Sequence, residues 1–467
     1  MLEYGNAKTH LFRHEVHQKG VHTWDTHALS PDKLRQLADF WKEFSALIPH
    51  VLPDHPDHKP QHFIRDRKLP LPKLISFILS LAVSGNEQGM AMLFEQFAEN
   101  ACDQGAWLHA DAVSAAALTK ARAKISWSVF DDLLKKASAL AQTLFPAADC
   151  YQWKKMNVYA IDGSKYQLPA SAAIREHFDP HSGLDPDNPG RGHYPMALVS
   201  TAYDVFRQLP VARTVVALAD ADERVQAKVL LAHLPSGGVA VLDQGYPSYD
   251  LLQEFQESYE GYFLCRCPAK NSFSAVDTFV RSGKSSAMIE LTPDLRVRAI
   301  RFSAPDGKLS VLLTNLIDTA AFSNQSIIKL YLLRWKIEVH YLAEKRDCKI
   351  ENFRSRGVNG VMQELFAAAI AMVMAQTLKA IAVPPRVTAK CIVFAQSKNA
   401  IAALGQKLYV FSTANQDRAF ELLKRLAASF ARHRYYQPTT PKPTQPRVSK
   451  TPQNKWRKSK LKRMGKA

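Results

Sequence analysis

Three acidic residues in this chain stand where they could do phosphate chemistry. Asp162 closes the apolar run "NVYAID", and Asp243 closes "GGVAVLD". Glu338 lies further on, in "YLLRWKIEVHYLAEK", which runs from Tyr331 to Lys345. Carboxylates are hard oxygen donors. Two of them on strand ends and a third on a packed helix could hold two hard cations roughly 3.5–4 Å apart, the arrangement suited to in-line displacement at phosphorus. Strand ends in α/β sheets are where catalytic groups collect. An Asp there is also the usual turn residue or helix cap, so neither Asp decides the matter alone.

The third segment is richer. At 100° per residue, Tyr331, Arg334, Glu338 and Lys345 fall within about 60° of one another on a helix. Trp335, Val339 and Leu342 share the neighbouring arc and are expected to form its buried stripe. An Arg334–Glu338 surface pair explains part of this polar edge. Its order is the less favourable one, however, with the base N-terminal to the acid, and such a pair contributes only about 0.3–0.5 kcal/mol. The other reading is a carboxylate flanked by cations that hold the phosphates an acid alone would repel.

The elements that must position these groups follow from pattern. Residues 1–150 read as helical: "SPDKLRQLADFWKEFSAL" has Ser30 as N-cap and Pro31 at the first helical position. "VSAAALTKARAKI" starts at a Ser114 cap and presents Lys120, Arg122 and Lys124, and a second helix follows the break at Ser126–Trp127. A helix pair of this kind is a candidate DNA contact. Residues 151–268 read as strand, strand, strand, helix, strand, helix, strand, with a hairpin around Phe206–Gln208. Residues 269–324 read as a β-rich insertion, and residues 325–370 as the second part of the same core, carrying the signature helix from about Gln325 to Lys349. Residues 371–436 read as a helical C-terminal region and 437–467 as a disordered basic tail.

Composition narrows the partner. The 467-residue chain carries a net charge of +18, and its last thirty residues hold ten Lys or Arg and no acid, leaving about +8 for the rest. A basic body with a basic tail points to an acidic polymer, nucleic acid before membrane. The longest apolar runs, "LISFILSLAV" and "LFAAAIAMVMA", fall short of the roughly 20 residues of a membrane span. No secretory h-region opens the chain, so a cytoplasmic location is expected. The six cysteines offer no zinc spacing, and Cys265 and Cys267 read as buried reduced thiols on one strand. The Pro-rich His50–His62 segment also fits no standard metal site.

These residues resemble a known family. The four positions Tyr331, Arg334, Glu338 and Lys345 match the Y-x-x-R-x-x-x-E-x-x-x-x-x-x-K signature of the insertion-sequence-four family of bacterial DDE transposases. Four fixed positions at roughly 5% each coincide by chance about once in ~10⁵ windows. The contexts "IDGS" and "DQGYPS" and the "LTNL" before the helix are also similar, over roughly Val113 to Leu378. The resemblance implies an α/β RNase H-like catalytic core with a β-rich insertion, flanked by helical regions. It implies Asp162, Asp243 and Glu338 as ligands of two Mg²⁺, with Mn²⁺ able to substitute, and Tyr331, Arg334 and Lys345 as DNA-phosphate contacts. It further implies cut-and-paste transposition at inverted-repeat ends by a homodimer on double-stranded DNA, in a bacterial nucleoid-associated setting. In one respect the chain departs from the pattern: no Trp lies between Asp243 and Arg334 to stack a flipped base. A metal-dependent nuclease or junction resolvase uses the same carboxylate logic, and an idle DNA-binding relic would keep the basic surfaces alone.

Overall fold

The computed structural model describes residues 29–438 apart from 53–54, 58, 60, 65–67, 85–87, 146–148, 184–191, 304–306, 385 and 388–390. The expected basic tail lies almost wholly outside the described residues. Among the described residues five helices come first: α1 (Pro31–His50), α2 (Leu71–Ser84), α3 (Met90–Asp103), α4 (Ala115–Arg122) and α5 (Ser128–Leu144). Ser30 and Ser114 cap α1 and α4 through their side chains, as their positions before the helical patterns suggest.

An eight-stranded mixed sheet follows, in the order β3-β2-β1-β4-β5-β8-β7-β6. Its members are β1 (Val158–Gln167), β2 (Met196–Asp204), β3 (Leu209–Ala217), β4 (Val239–Leu242), β5 (Tyr262–Pro268), β6 (Ser286–Thr292), β7 (Leu295–Ser303) and β8 (Leu309–Thr314). The β2–β3 hairpin turns where expected, with Gln208 in the left-handed region at φ 61°. Helices α6 (Ala172–Phe178), α7 (Glu223–Leu231) and α8 (Tyr249–Ser258) join successive strands, and α7 and α8 make the crossovers that let β1, β4 and β5 run parallel. The short run "VAVL" of β4 is buried throughout, as befits a strand covered on both faces.

Side-chain alternation sorts the sheet into two cores. Val158, Ala160, Val239, Val241 and Leu264 face one side, and Tyr159, Ile161, Ala240, Leu242 and Phe263 the other. The second face is covered by α7, α8 and α9 (Ser274–Arg281). The first is covered by the N-terminal helices together with α10 (Asn324–Leu332), α11 (Lys336–Arg346), α12 (Val358–Ala382), α13 (Ser397–Gly405) and α14 (Gln416–Arg432). Helix α12 is the one helix among the described residues long and apolar enough to cross a membrane, and it is buried here at the centre of the larger core.

The N-terminal helices share one hydrophobic core with α12 and the sheet. In the β-rich stretch of residues 269–324, β8 pairs with β5 and extends the main sheet, and the stretch also contains the helix α9. Two expectations change. The signature helix is broken into α10, a 3₁₀ turn at Leu333–Trp335, and α11. The C-terminal region adds a small sheet of β9 (Arg386–Val387), β10 (Cys391–Phe394) and β11 (Tyr435–Pro438), too short to leave a clear sequence pattern.

Candidate active site

Asp162 is not at a strand end; it sits midway along β1. What ends beside it is the pairing. β1 and β4 pair only from Val158↔Val239 to Ile161↔Leu242, while β1 runs on against β2 to Gln167. Asp162 and Asp243 are therefore the first residues beyond the shared ladder on neighbouring strands. By the period of two, both point to the face that carries Ala160 and Val241. Helices α10 and α11 cross that same face, anchored by Ile327, Leu330, Ile337 and Tyr341. The Tyr341 hydroxyl donates to the backbone carbonyl of Asp162 at 2.7 Å, fixing helix to strand at the site itself.

The three acids surround one guanidinium. Arg334 Nη2 lies 2.7 Å from Glu338 Oε1 and 3.4 Å from Asp243 Oδ2, and Nη1 lies 3.7 Å from Asp162 Oδ2. Arg334 is only 7% exposed, and Nη1 makes no hydrogen bond. Burial works against its charge, but Asp243, Tyr331, Glu338 and Asp162 hold it in the charged form. The Tyr331 hydroxyl donates to Asp243 Oδ1 at 2.8 Å. Lys345 Nζ donates to Ser164 Oγ at 2.8 Å and to the Lys165 carbonyl at 2.6 Å. Burial pushes the Asp162 carboxyl up to about 7, with Arg334 opposing it. Burial and the neighbouring Asp243 also raise the Tyr331 phenol.

Five of the expected residues thus meet in one place, with Lys345 bound along the same strand two residues from Asp162. Among the described residues, no three His, Cys, Asp or Glu side chains form a ready-made metal cage. The donor set is nonetheless all hard oxygen, and the acids outnumber the single arginine between them. That excess of negative charge fits a divalent cation of the Mg²⁺ or Mn²⁺ kind.

Two expectations about side chains are corrected. Trp335, Val339 and Leu342 are 51%, 52% and 51% exposed, so they are not the buried stripe. The inward face carries Tyr331, Arg334, Ile337, Tyr341 and Glu344 instead. Arg122 is also turned inward. It is 5% exposed and donates to Glu364 Oε1 at 2.9 Å, Gln363 Oε1 at 3.0 Å and the Gly360 carbonyl at 2.8 Å, which ties α4 to α12. Lys120 and Lys124 are exposed and, with Lys68, line a groove of about 1170 Å³ floored by Phe63, Leu69 and Val113.

Sequence reading missed the support beneath the site. Glu344 is fully buried, 2.5 Å from Arg213 Nη2 and 3.3 Å from His340 Nε2, and it accepts from the Tyr166 hydroxyl. Burial works to raise its carboxyl, but Arg213, His340 and Tyr166 together hold it below the ordinary range. The signal was present: Arg213 is the only charge in the apolar strand "LPVARTVVA", and a charge there requires a partner. Glu223 also stands near the acids, with its Oε1 2.9 Å from where a Cβ on Gly163 would be.

Residues 153–374 match the family model described as the transposase DDE domain. The matched segment, just under half of the chain, contains Asp162, Asp243, Glu338 and the helices that position them. No curated protein sequence matches the chain. Among solved structures, a piggyBac transposase synaptic complex with hairpin DNA is similar at 11% identity and a TM-score of 0.39, over 86% of this chain and 81% of that one.

Proposed function

We propose that this protein carries out cut-and-paste transposition of a bacterial insertion sequence of the insertion-sequence-four type, cleaving and joining DNA at inverted-repeat ends. The observation that carries the reading is the convergence of Asp162, Asp243 and Glu338 on the Arg334 guanidinium, inside the transposase DDE domain. An RNase H-like core is supported by the order β3-β2-β1-β4-β5, antiparallel through β1–β3 and parallel through β1, β4 and β5.

Asp162, Asp243 and Glu338 would hold two Mg²⁺, with Mn²⁺ able to substitute. When bound, such ions lower the pKa of an attacking water or 3′-hydroxyl and stabilise the leaving oxygen. The chain's own residues do the rest. The Tyr331 hydroxyl orients the Asp243 carboxylate from one side. Arg334 neutralises the acids in the metal-free protein. Its planar fork would also suit a scissile phosphate, beginning with Nη1, which makes no hydrogen bond. Lys345, along β1, and Tyr331, beside Asp243, supply further phosphate contacts. Lys120 and Lys124 hold DNA at the N-terminal groove, and the basic tail adds charge without fixed geometry. The active species is a homodimer on double-stranded DNA, working in the cytoplasm at the nucleoid.

The test is single-turnover cleavage and strand transfer on a duplex carrying the element's end, with DNA binding followed separately. Asp162→Asn, Asp243→Asn and Glu338→Gln should bind the duplex and fail to cut it. Mg²⁺ and Mn²⁺ should support turnover, and Ca²⁺, with longer bonds and more ligands, should support binding only. Cleavage at the wild-type rate in excess chelator would remove the metal mechanism.

A further inference from the structure

A fourth carboxylate approaches the three acids from a different element. Glu223 is the first residue of α7, directly after Asp222. Asp222 already caps this helix, accepting from the backbone of Arg224 and Val225, so Glu223 is not needed for that task. Among the described residues its carboxylate makes no hydrogen bond or salt bridge. It lies instead against Gly163, with Oε1 2.9 Å and Cγ 3.1 Å from the position a Cβ would take. A glycine inside a strand weakens it and commonly marks a close approach. Here the approach is by this carboxylate, from the α7-covered face opposite the one to which Asp162 points, at the place where β1 parts from β4 and no β1–β4 ladder closes the sheet between the two faces.

Two buried donors in this region also make no hydrogen bond. One is Arg334 Nη1. The other is the hydroxyl of Tyr246, a residue only 1% exposed, which lies in the field of Asp162 first and Glu223 second. An unpaired O–H buried beside two carboxylates is a place for an oxygen ligand such as a cation's water. Burial raises the Glu223 carboxyl, Lys165 opposes this, and the negative charge of Asp243 adds to it. An acid near two other acids, with only Lys165 opposing them and no salt bridge of its own among the described residues, is the electrostatic condition a divalent cation relieves.

We propose that Glu223 is a fourth carboxylate of the DDE centre, supplying an oxygen, directly or through a bound water, to the divalent cation held by Asp162 and Asp243. The inference rests on the metal reading of the three acids given above.

Mn²⁺ binding to the full-length protein without DNA, followed by electron paramagnetic resonance of the free ion, tests it apart from activity. Glu223→Gln should weaken Mn²⁺ binding by about 10-fold, within the range seen when residues supporting a metal's ligands are lost. The Mg²⁺ concentration giving half-maximal cleavage should rise by a similar factor, with the rate restored at high Mg²⁺. Melting temperature without metal should stay level or rise. If Asp162→Asn and Asp243→Asn abolish Mn²⁺ binding while Glu223→Gln binds as wild type, Glu223 is outside the site and the three-acid centre stands. A lowered melting temperature with unchanged Mn²⁺ affinity also overturns the proposal, leaving Glu223 as a stabiliser of the α7 N-terminus. If Asp162→Asn and Asp243→Asn themselves bind Mn²⁺ like wild type, the metal reading fails and takes the Glu223 inference with it.

Discussion

At the scale of single residues, the metal-free site is under electrostatic tension. Asp162 ionises near pH 7 in the folded protein, against about 3.9 for a free Asp side chain. The unfolded chain therefore loses this proton first. Between about pH 4 and 7 folding is linked to proton uptake, so stability falls as pH rises through that window and stays low above it. Asp162→Asn removes the cost. It should melt higher than wild type at pH 8, by about 2 kcal/mol without divalent cations, and level with it at pH 4. A neutral or negative shift at pH 8 would mean the charge is already satisfied. Arg334 has the opposite sign. Arg334→Ala leaves three acids facing one another, and a fully buried charge so stranded costs about 3–5 kcal/mol. The Asp243 and Glu338 side chains keep 37% and 33% of their exposure, so a loss of about 1–2 kcal/mol is expected. Saturating Mg²⁺ should recover most of it, yet cleavage should stay far below wild type, with Arg334→Lys intermediate. Thermal melts with and without Mg²⁺, beside single-turnover cleavage, separate the two roles.

At the scale of elements, the signature helix shows where sequence reading succeeds and where it stops. The spacing of Tyr331, Arg334 and Glu338 placed them on one face, and they do meet over Asp162 and Asp243. The buried stripe was misplaced because polarity was read as exposure. Arg334, His340 and Glu344 are buried because their partners come from remote strands, and Arg213 lies 131 residues from Glu344 in sequence. No local pattern carries such pairings. The break at Leu333–Trp335 was equally invisible, since no Gly or Pro marks it. For β1 the apolar run was legible but not the strand's length, because Asp162 ends a ladder with one neighbour and not with the other. The two stripes make contrary predictions. Val339→Lys and Leu342→Lys should each change stability by no more than about 0.5 kcal/mol, as exposed positions do. Glu344→Gln should cost about 3–5 kcal/mol, since it strands Arg213 in the core. Chemical denaturation of the three variants decides between the faces, and the reverse order would restore the stripe expected from sequence.

At the scale of the whole molecule, helices from both ends of the chain enclose one core, so a change among the first helices can act either on DNA or on the fold. The stretch from Lys120 to Lys124 contains both cases within five residues. Sequence alone treated Lys120, Arg122 and Lys124 alike, because all three are cations on one short segment. The structure separates them by angle: the two lysines stand at the rim of a groove, and Arg122 is buried against Glu364. If the groove receives a DNA backbone, each lysine that neutralises a phosphate adds roughly 0.9 to the slope of log affinity against log salt. The double variant Lys120→Ala, Lys124→Ala should therefore fold normally, bind DNA more weakly at low salt, and show a slope shallower by about 2. Binding should weaken evenly across duplex sequences, because phosphate contacts position without specifying. Arg122→Ala should do the reverse. It leaves Glu364 uncompensated inside the core, which costs about 3–5 kcal/mol of stability. The fraction that stays folded should keep the wild-type salt slope. Fluorescence-anisotropy titrations at several salt concentrations, beside denaturation curves, measure both. A wild-type slope in the double lysine variant would mean that DNA does not enter this groove, and the net positive charge would then have to act through other surfaces.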